Sequence, residues 1–153
     1  MNTQFLRLTF LILFVLTTAI TAALAQKPVF APDGKAIRGY DPVAYFTDSK
    51  PVPGKPNISY QYEGTDWYFA SEKNRDAFKA DPAKYAPQYG GYCAFGTSRG
   101  YKAPTQADAW TIVDGKLYLN YNTNVRTEWN KDQAGYIKKA DANWPAIKDK
   151  EPK

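Results

Sequence analysis

The chain holds one cysteine, Cys93, and no histidine. Cys93 lies in YGGYCAFGTSRGY, residues 89–101, among glycines and aromatic residues, with Arg99 and Lys102 nearby in sequence. Three chemistries compete for it: soft-metal ligation, a reactive thiol, or a small residue wedged into a tight turn. Structural zinc takes four Cys or His ligands, and copper(I) takes soft sulfur donors. With one thiol, no imidazole and Met1 as the single methionine, one chain cannot assemble either site. Copper or haem then enters only by shared routes: two Cys93 thiolates of a homodimer on one copper(I), or Cys93 or a tyrosine on a haem iron. Asp41, Asp66, Asp108 and Asp114 could offer oxygen to a hard ion, but no EF-hand-like acidic loop groups them. No cofactor is therefore predicted.

A Cys–His nucleophile is excluded for want of a histidine, and no catalytic residue is assigned. A low-pKa thiol needs a neighbouring cation or a helix N-terminus; Arg99, Lys102 and Lys116 are the candidates. Free cysteine is also among the most buried residue types, and a buried Cys93 beside Tyr92 and Phe95 is the reading carried forward. The glycines match neither Walker nor GxGxxG spacing, so Gly90 and Gly91 are expected to serve backbone geometry, through positive φ or close packing.

Most of the 12 tyrosines are expected in the core. Some can line a pocket, where a phenol offers an apolar face and a hydroxyl together. The candidate ligand-binding set is Cys93 at the pocket edge with Tyr92, Tyr89 and Asp41 near it, then Tyr45, Lys116 and Asn120. Lys116 flanks a hairpin turn and is equally an ordinary solvated residue.

Positioning those residues falls to a short chain. Residues 1–25 read as a cleavable export signal: one positive charge at Arg7, an apolar run from Leu8 to Ile20, and the small-x-small Ala23-Leu24-Ala25. The run is shorter than the ~20 residues of a membrane span. Cleavage after Ala25 gives a periplasmic or secreted protein, with no further membrane-length segment. Losing Arg7 lowers the net charge from +5 to +4. The basic residues are scattered and nucleic-acid binding gains no support. A lone cysteine closes no internal disulfide, so stability must come from packing.

Residues 26–38, with their Pro, Gly and polar content, predict an extended arm. YDPVAYF, residues 40–46, reads as a turn entering a short strand, and SKPVPGKPN, residues 49–57, as an exposed loop. ISYQYEGTDWYFAS, residues 58–71, predicts a hairpin turning at Glu63-Gly64. Ser71 then caps a helix that carries Phe78, and Asp81-Pro82 caps a further turn. Asp114-Gly115 between two apolar runs predicts a second hairpin with a type I′ turn. Helical spacing follows, with Val125 and Trp129, then Tyr136, Ala140 and Trp144, ending at Pro145. Residues 148–153 read as a charged, frayed tail. Two hairpins each followed by helix predict a small single α+β domain over residues 39–147.

GYDPVAYF, YEGTDWYFASEKNRDAFKADPAKYAPQYGGYCA, DGKLYLNYN and ADANWP, spread from Gly39 to Pro145, resemble the YHS-domain family, in particular its exported single-domain branch. The resemblance implies a metal-binding scaffold in which related short domains carry cysteines. At the corresponding positions this sequence has Ala44, Ala70 and Asn74, so the scaffold is implied without its thiolates. The expectation is an exported, non-enzymatic binding or accessory protein for a small molecule or a protein. The alternatives are a redox, metal or haem protein working through Cys93, and a purely structural interaction module.

Overall fold

A computed structural model describes residues 28–153. The expected leader and its cleavage point lie outside the described residues. The regular elements are α1 (Ala44–Thr47), the hairpin β1 (Lys55–Tyr62) and β2 (Thr65–Phe69), α2 (Glu72–Ala80), α3 (Pro82–Tyr85) and α4 (Ala94–Ser98). A second hairpin, β3 (Trp110–Val113) and β4 (Lys116–Leu119), precedes α5 (Thr123–Trp129) and α6 (Gln133–Ile147). The predicted α+β architecture, two hairpins each followed by helix, is the one observed.

Both hairpins are antiparallel and turn at residues of positive φ, Glu63-Gly64 and Asp114-Gly115. Two such residues in succession give a turn whose twist matches that of the strands. Tyr60 pairs with Trp67 in the first hairpin and Ile112 with Leu117 in the second. The aromatic face of β1 and β2 closes on Phe78 of α2, whose ring lies within 5.1–6.3 Å of the Trp67, Phe69, Tyr62 and Tyr60 rings. Strand β4 divides its side chains between two cores by the alternation of a strand. Leu117 and Leu119 join Val43, Tyr45, Trp67, Phe69 and Phe78, whereas Tyr118 joins Tyr89, Ala94, Trp129 and Ala140.

Four expectations need correction. The Asp41-Pro42 dipeptide starts a helix, α1, and not a strand, because the Asp41 carboxylate accepts the Val43 and Ala44 backbone N–H groups at 2.8 and 3.3 Å. The described part of the expected arm is not extended. It folds into 3-10 turns at Pro32–Gly34 and Ala36–Gly39 and buries Val29, Phe30, Ala36 and Ile37. Strand β1 already begins at Lys55, inside the expected loop. Finally, α6 continues past Pro145 to Ile147, which is buried. Proline in a last turn removes one helical donor, and the burial of Ile147 holds the turn against that loss. The charged tail is exposed but tethered: the Lys153 N–H donates to the Lys102 carbonyl, and Lys102 Nζ donates to the Lys148 carbonyl, both at 2.9 Å.

Candidate functional site

Cys93 occupies the N-cap of α4, held there from three sides. Its N–H donates to the Ala103 carbonyl at 3.0 Å, and its carbonyl accepts from the Thr97 N–H at 2.9 Å and the Thr97 hydroxyl at 3.0 Å. Its Sγ accepts from the Gly96 N–H at 3.4 Å and donates to Asn120 Oδ1 at 3.6 Å. The residue is 2% exposed. Burial pushes the thiol above its ordinary value of 9.0, against an opposing pull from the backbone N–H groups of Gly96, Tyr121 and Phe95. Desolvation wins, so at neutral pH Cys93 is a protonated thiol.

Asn120 is fully buried beside it. Its Oδ1 accepts the Phe95 N–H at 3.1 Å as well as the Cys93 thiol, which fixes the amide orientation; Nδ2 is left without a hydrogen-bond partner. The link between the end of β4 and the start of α4 is therefore a side-chain amide that reads both the thiol and the helix backbone.

One side of Cys93 opens on a cleft of about 420 Å³. Phe95, Ala103 and Pro104 form its apolar wall together with Val125; Tyr101, Tyr121 and Lys153 complete the lining. Tyr121, 49% exposed, stands out from the surface as its aromatic face. The volume falls within the usual range for small-molecule pockets, about 300–1,000 Å³.

Of the residues singled out in the sequence, the structure brings Asn120 and Cys93 together and disperses the others. Tyr92 stacks against Phe30 at 5.5 Å, has Lys102 Nζ 4.8 Å from its ring centroid, and lines a separate cleft with Thr65 and Pro152. Tyr89 lines a third cleft with Trp67 and Trp144 and donates its hydroxyl to Asp141 at 2.8 Å. Tyr45 is core and donates to the Ala107 carbonyl at 3.0 Å. Lys116 is an exposed residue opposite Val113 in the second hairpin. Tyr101, Tyr121 and Val125 were visible in the sequence as ordinary aromatic and helical positions. Lys153 carried no signal, because its place depends on the tail folding back.

Asp41 serves a different purpose. It is fully buried, and each carboxylate oxygen accepts two hydrogen bonds: Oδ1 from the Val43 and Ala44 N–H groups, Oδ2 from the Ala70 N–H at 2.9 Å and Asn74 Nδ2 at 2.7 Å. Residues 44, 70 and 74, where the family resemblance implies thiolates, thus converge on one carboxylate. The two alanine side chains offer no atom that could ligate a metal, and Asn74 gives its Nδ2 to Asp41. These residues do not fit a thiolate metal centre. No group of three His, Cys, Asp or Glu side chains among the described residues is placed to hold a metal ion.

The family model of the YHS domain matches residues 43–89. That stretch covers α1, the first hairpin, α2 and α3, and includes Ala44, Ala70 and Asn74; the Cys93 cleft lies beyond it. Comparison with curated proteins gives no match, and neither does comparison with solved structures.

Proposed function

We propose that this protein, whose residues 43–89 form a YHS domain, is an exported, non-enzymatic binding protein that takes a small organic molecule in the Cys93 cleft. The observation that carries the reading is the cleft itself: about 420 Å³, walled by aromatic and aliphatic side chains, with a protonated thiol at its wall. Such a lining retains an apolar molecule by excluding water, at about 25 cal/mol for each Å² of apolar surface covered. None of the described side chains lining it is a carboxylate or an imidazole, and the thiol is held in its less nucleophilic form. Export rests on the leader pattern of residues 1–25. No helix among the described residues is long and apolar enough to cross a membrane.

Two measurements test this. Titration of the isotope-labelled protein with small aromatic probes such as 3-phenylpropanol should move the backbone signals of Phe95, Tyr101 and Tyr121 and leave those of hairpin one in place. Native-state thiol labelling at neutral pH should be slower than labelling of the unfolded chain by orders of magnitude. Labelling at the rate of a free thiol would favour the redox alternative and overturn the protonated-wall reading.

A further inference from the structure

The core that receives Tyr118 is also a run of oxidisable rings. Trp144, Tyr89, Tyr118 and Trp129 follow one another with ring centroids 5.8, 6.0 and 5.3 Å apart. Those are the spacings of aromatic rings in contact. Orbital overlap falls steeply with distance, so an electron vacancy passes readily between rings this close. The two ends differ in access: Trp144 is half-buried and lines the cleft it shares with Tyr89, whereas Trp129 is fully buried. The rings also differ in where a proton can go. A phenol or indole that loses an electron becomes strongly acidic, and an unpaired buried cation of that kind is costly. Trp129 Nε1 is buried without a hydrogen-bond partner among the described residues. The buried Tyr89 hydroxyl, by contrast, donates to Asp141 Oδ1 at 2.8 Å, and Asp141 is exposed to the water that can carry the proton away.

We propose that Tyr89 is a one-electron redox site, oxidised through Trp144 by a small outer-sphere one-electron oxidant that reaches the cleft rim. The electron passes from Tyr89 by way of the Trp144 ring to the oxidant, which is reduced by one electron. The phenol O–H bond breaks and its proton forms a new O–H bond on the Asp141 carboxylate. A neutral phenoxyl radical and a carboxylic acid remain, and the acid donates its hydrogen bond back to the phenoxyl oxygen. Burial and the Asp141 hydrogen bond keep the phenol protonated at neutral pH, so electron and proton leave together. The site stands apart from the Cys93 cleft and does not depend on what that cleft binds.

Flash photolysis of the protein with tris(bipyridine)ruthenium(II) and persulfate supplies such an oxidant, and samples frozen at set delays are read by electron paramagnetic resonance. Radicals on exposed tyrosines couple and disappear, so the signal of interest is a phenoxyl radical that outlasts that of free tyrosine under the same flash. Tyr89→Phe, which keeps the ring, should remove it. Asp141→Asn keeps a hydrogen-bond acceptor but no base, and should slow its formation by at least about tenfold. That is less than the about 10²–10⁴-fold of a positioned proton-transfer group, because water partly stands in. Trp144→Phe should slow formation as well. Absence of a long-lived signal, or its survival in Tyr89→Phe, overturns Tyr89 as the site. Equal rates in wild type and Asp141→Asn overturn Asp141 as the proton acceptor; because Asp141 is exposed, that variant keeps the fold and is decisive by itself. An unchanged rate in Trp144→Phe overturns the route through Trp144.

Discussion

Replacing Asp41 by Asn is the most demanding test of how this domain is held together. The substitution keeps size and shape and alters one oxygen. In the native protein both oxygens face donors: two backbone N–H groups on one side, the Ala70 N–H and the Asn74 amide on the other. Asn can serve one pair with its oxygen, but its Nδ2 then confronts donors across 2.7–2.9 Å. Asn74 can turn its own oxygen toward the new amide; the Ala70 N–H cannot turn. The change therefore loses hydrogen bonds to a charged acceptor, about 1.5–3 kcal/mol each, and leaves a largely buried donor unmatched at about 1–3 kcal/mol. These contributions overlap, and partial solvent access at Ala70 and Asn74 reduces them, so about 3 kcal/mol is expected. With a urea slope of about 2 kcal/mol/M, the unfolding midpoint should fall by about 1.5 M. Asn74→Ala should cost about 1.5 kcal/mol alone. In that background Asp41→Asn should hurt less, giving a coupling of about 1 kcal/mol between the two sites. A midpoint for Asp41→Asn within about 0.3 M of wild type at unchanged slope, or strict additivity with Asn74→Ala, would refute the account of Asp41 as the knot joining α1, β2 and α2.

Alkaline stability gives a second prediction. Burial raises the Tyr45 and Tyr89 phenols far above 10.0 and the Cys93 thiol above 9.0, with the Asp141 hydrogen bond adding to the shift at Tyr89. The folded chain keeps these protons after the unfolded chain has released them. As pH rises, stability should start to fall as the unfolded chain's thiol titrates around 9.0 and fall more steeply as its phenols titrate around 10.0, and Tyr45→Phe should flatten the fall above pH 10 by up to about 1.4 kcal/mol per pH unit. Urea midpoints from pH 8 to 11 read this directly, and an unchanged slope would count against it. Gly90→Ala and Gly115→Ala separate packing from backbone preference. Both positions have positive φ, but a Cβ at Gly90 runs into the Pro28 carbonyl oxygen, whereas at Gly115 it meets open space. Thermal denaturation should show about 1–2 kcal/mol lost at Gly115 and a clearly larger loss at Gly90. Cys93→Ser should fold with stability within about 1 kcal/mol of wild type, because serine is a better N-cap and its hydroxyl can still donate to Asn120. A loss well beyond that by urea titration would mean that sulfur packing, and not capping, holds α4.

What could be read in the sequence was whatever local chemistry decides. Both hairpin turns were legible because Glu63-Gly64 and Asp114-Gly115 must adopt φ that few residues accept. The α2 cap at Ser71 was legible for the same local reason. The Asp-Pro signal was read correctly at Asp81-Pro82, where it opens α3, and missed at Asp41-Pro42, where the same pairing of an acceptor with a proline opens α1. What followed Pro42 looked strand-like, since Val43, Tyr45 and Phe46 carry β preference, and tertiary burial overrode it. At the site, the sequence identified Cys93 and its glycine setting. The partners of Cys93 come from residues 101–104, 120–125 and 153, which no spacing connects. Tyr89 and Tyr92, close to Cys93 in sequence, line other clefts: the turn at Gly90 and Gly91 parts Tyr89 from Tyr92, and Tyr92 lies against Phe30.

The wrap formed by residues 28–40 bears on the order in which the molecule assembles. Ile37 and Arg38 both sit at positive φ, 42° and 61°, and a β-branched residue such as Ile37 rarely tolerates that conformation. The conformation persists through long-range contacts. The Phe30 N–H donates to the Gly90 carbonyl, Arg38 Nε donates to the Thr105 carbonyl, and Ile37 is buried. Such a segment has no tendency to form ahead of the surface that receives it, whereas the hairpins carry their own turns. The wrap should therefore dock after the folding barrier is crossed. Substitutions in residues 28–40 should speed unfolding and leave the folding rate nearly unchanged, the reverse of what a change in the hairpin turns would do.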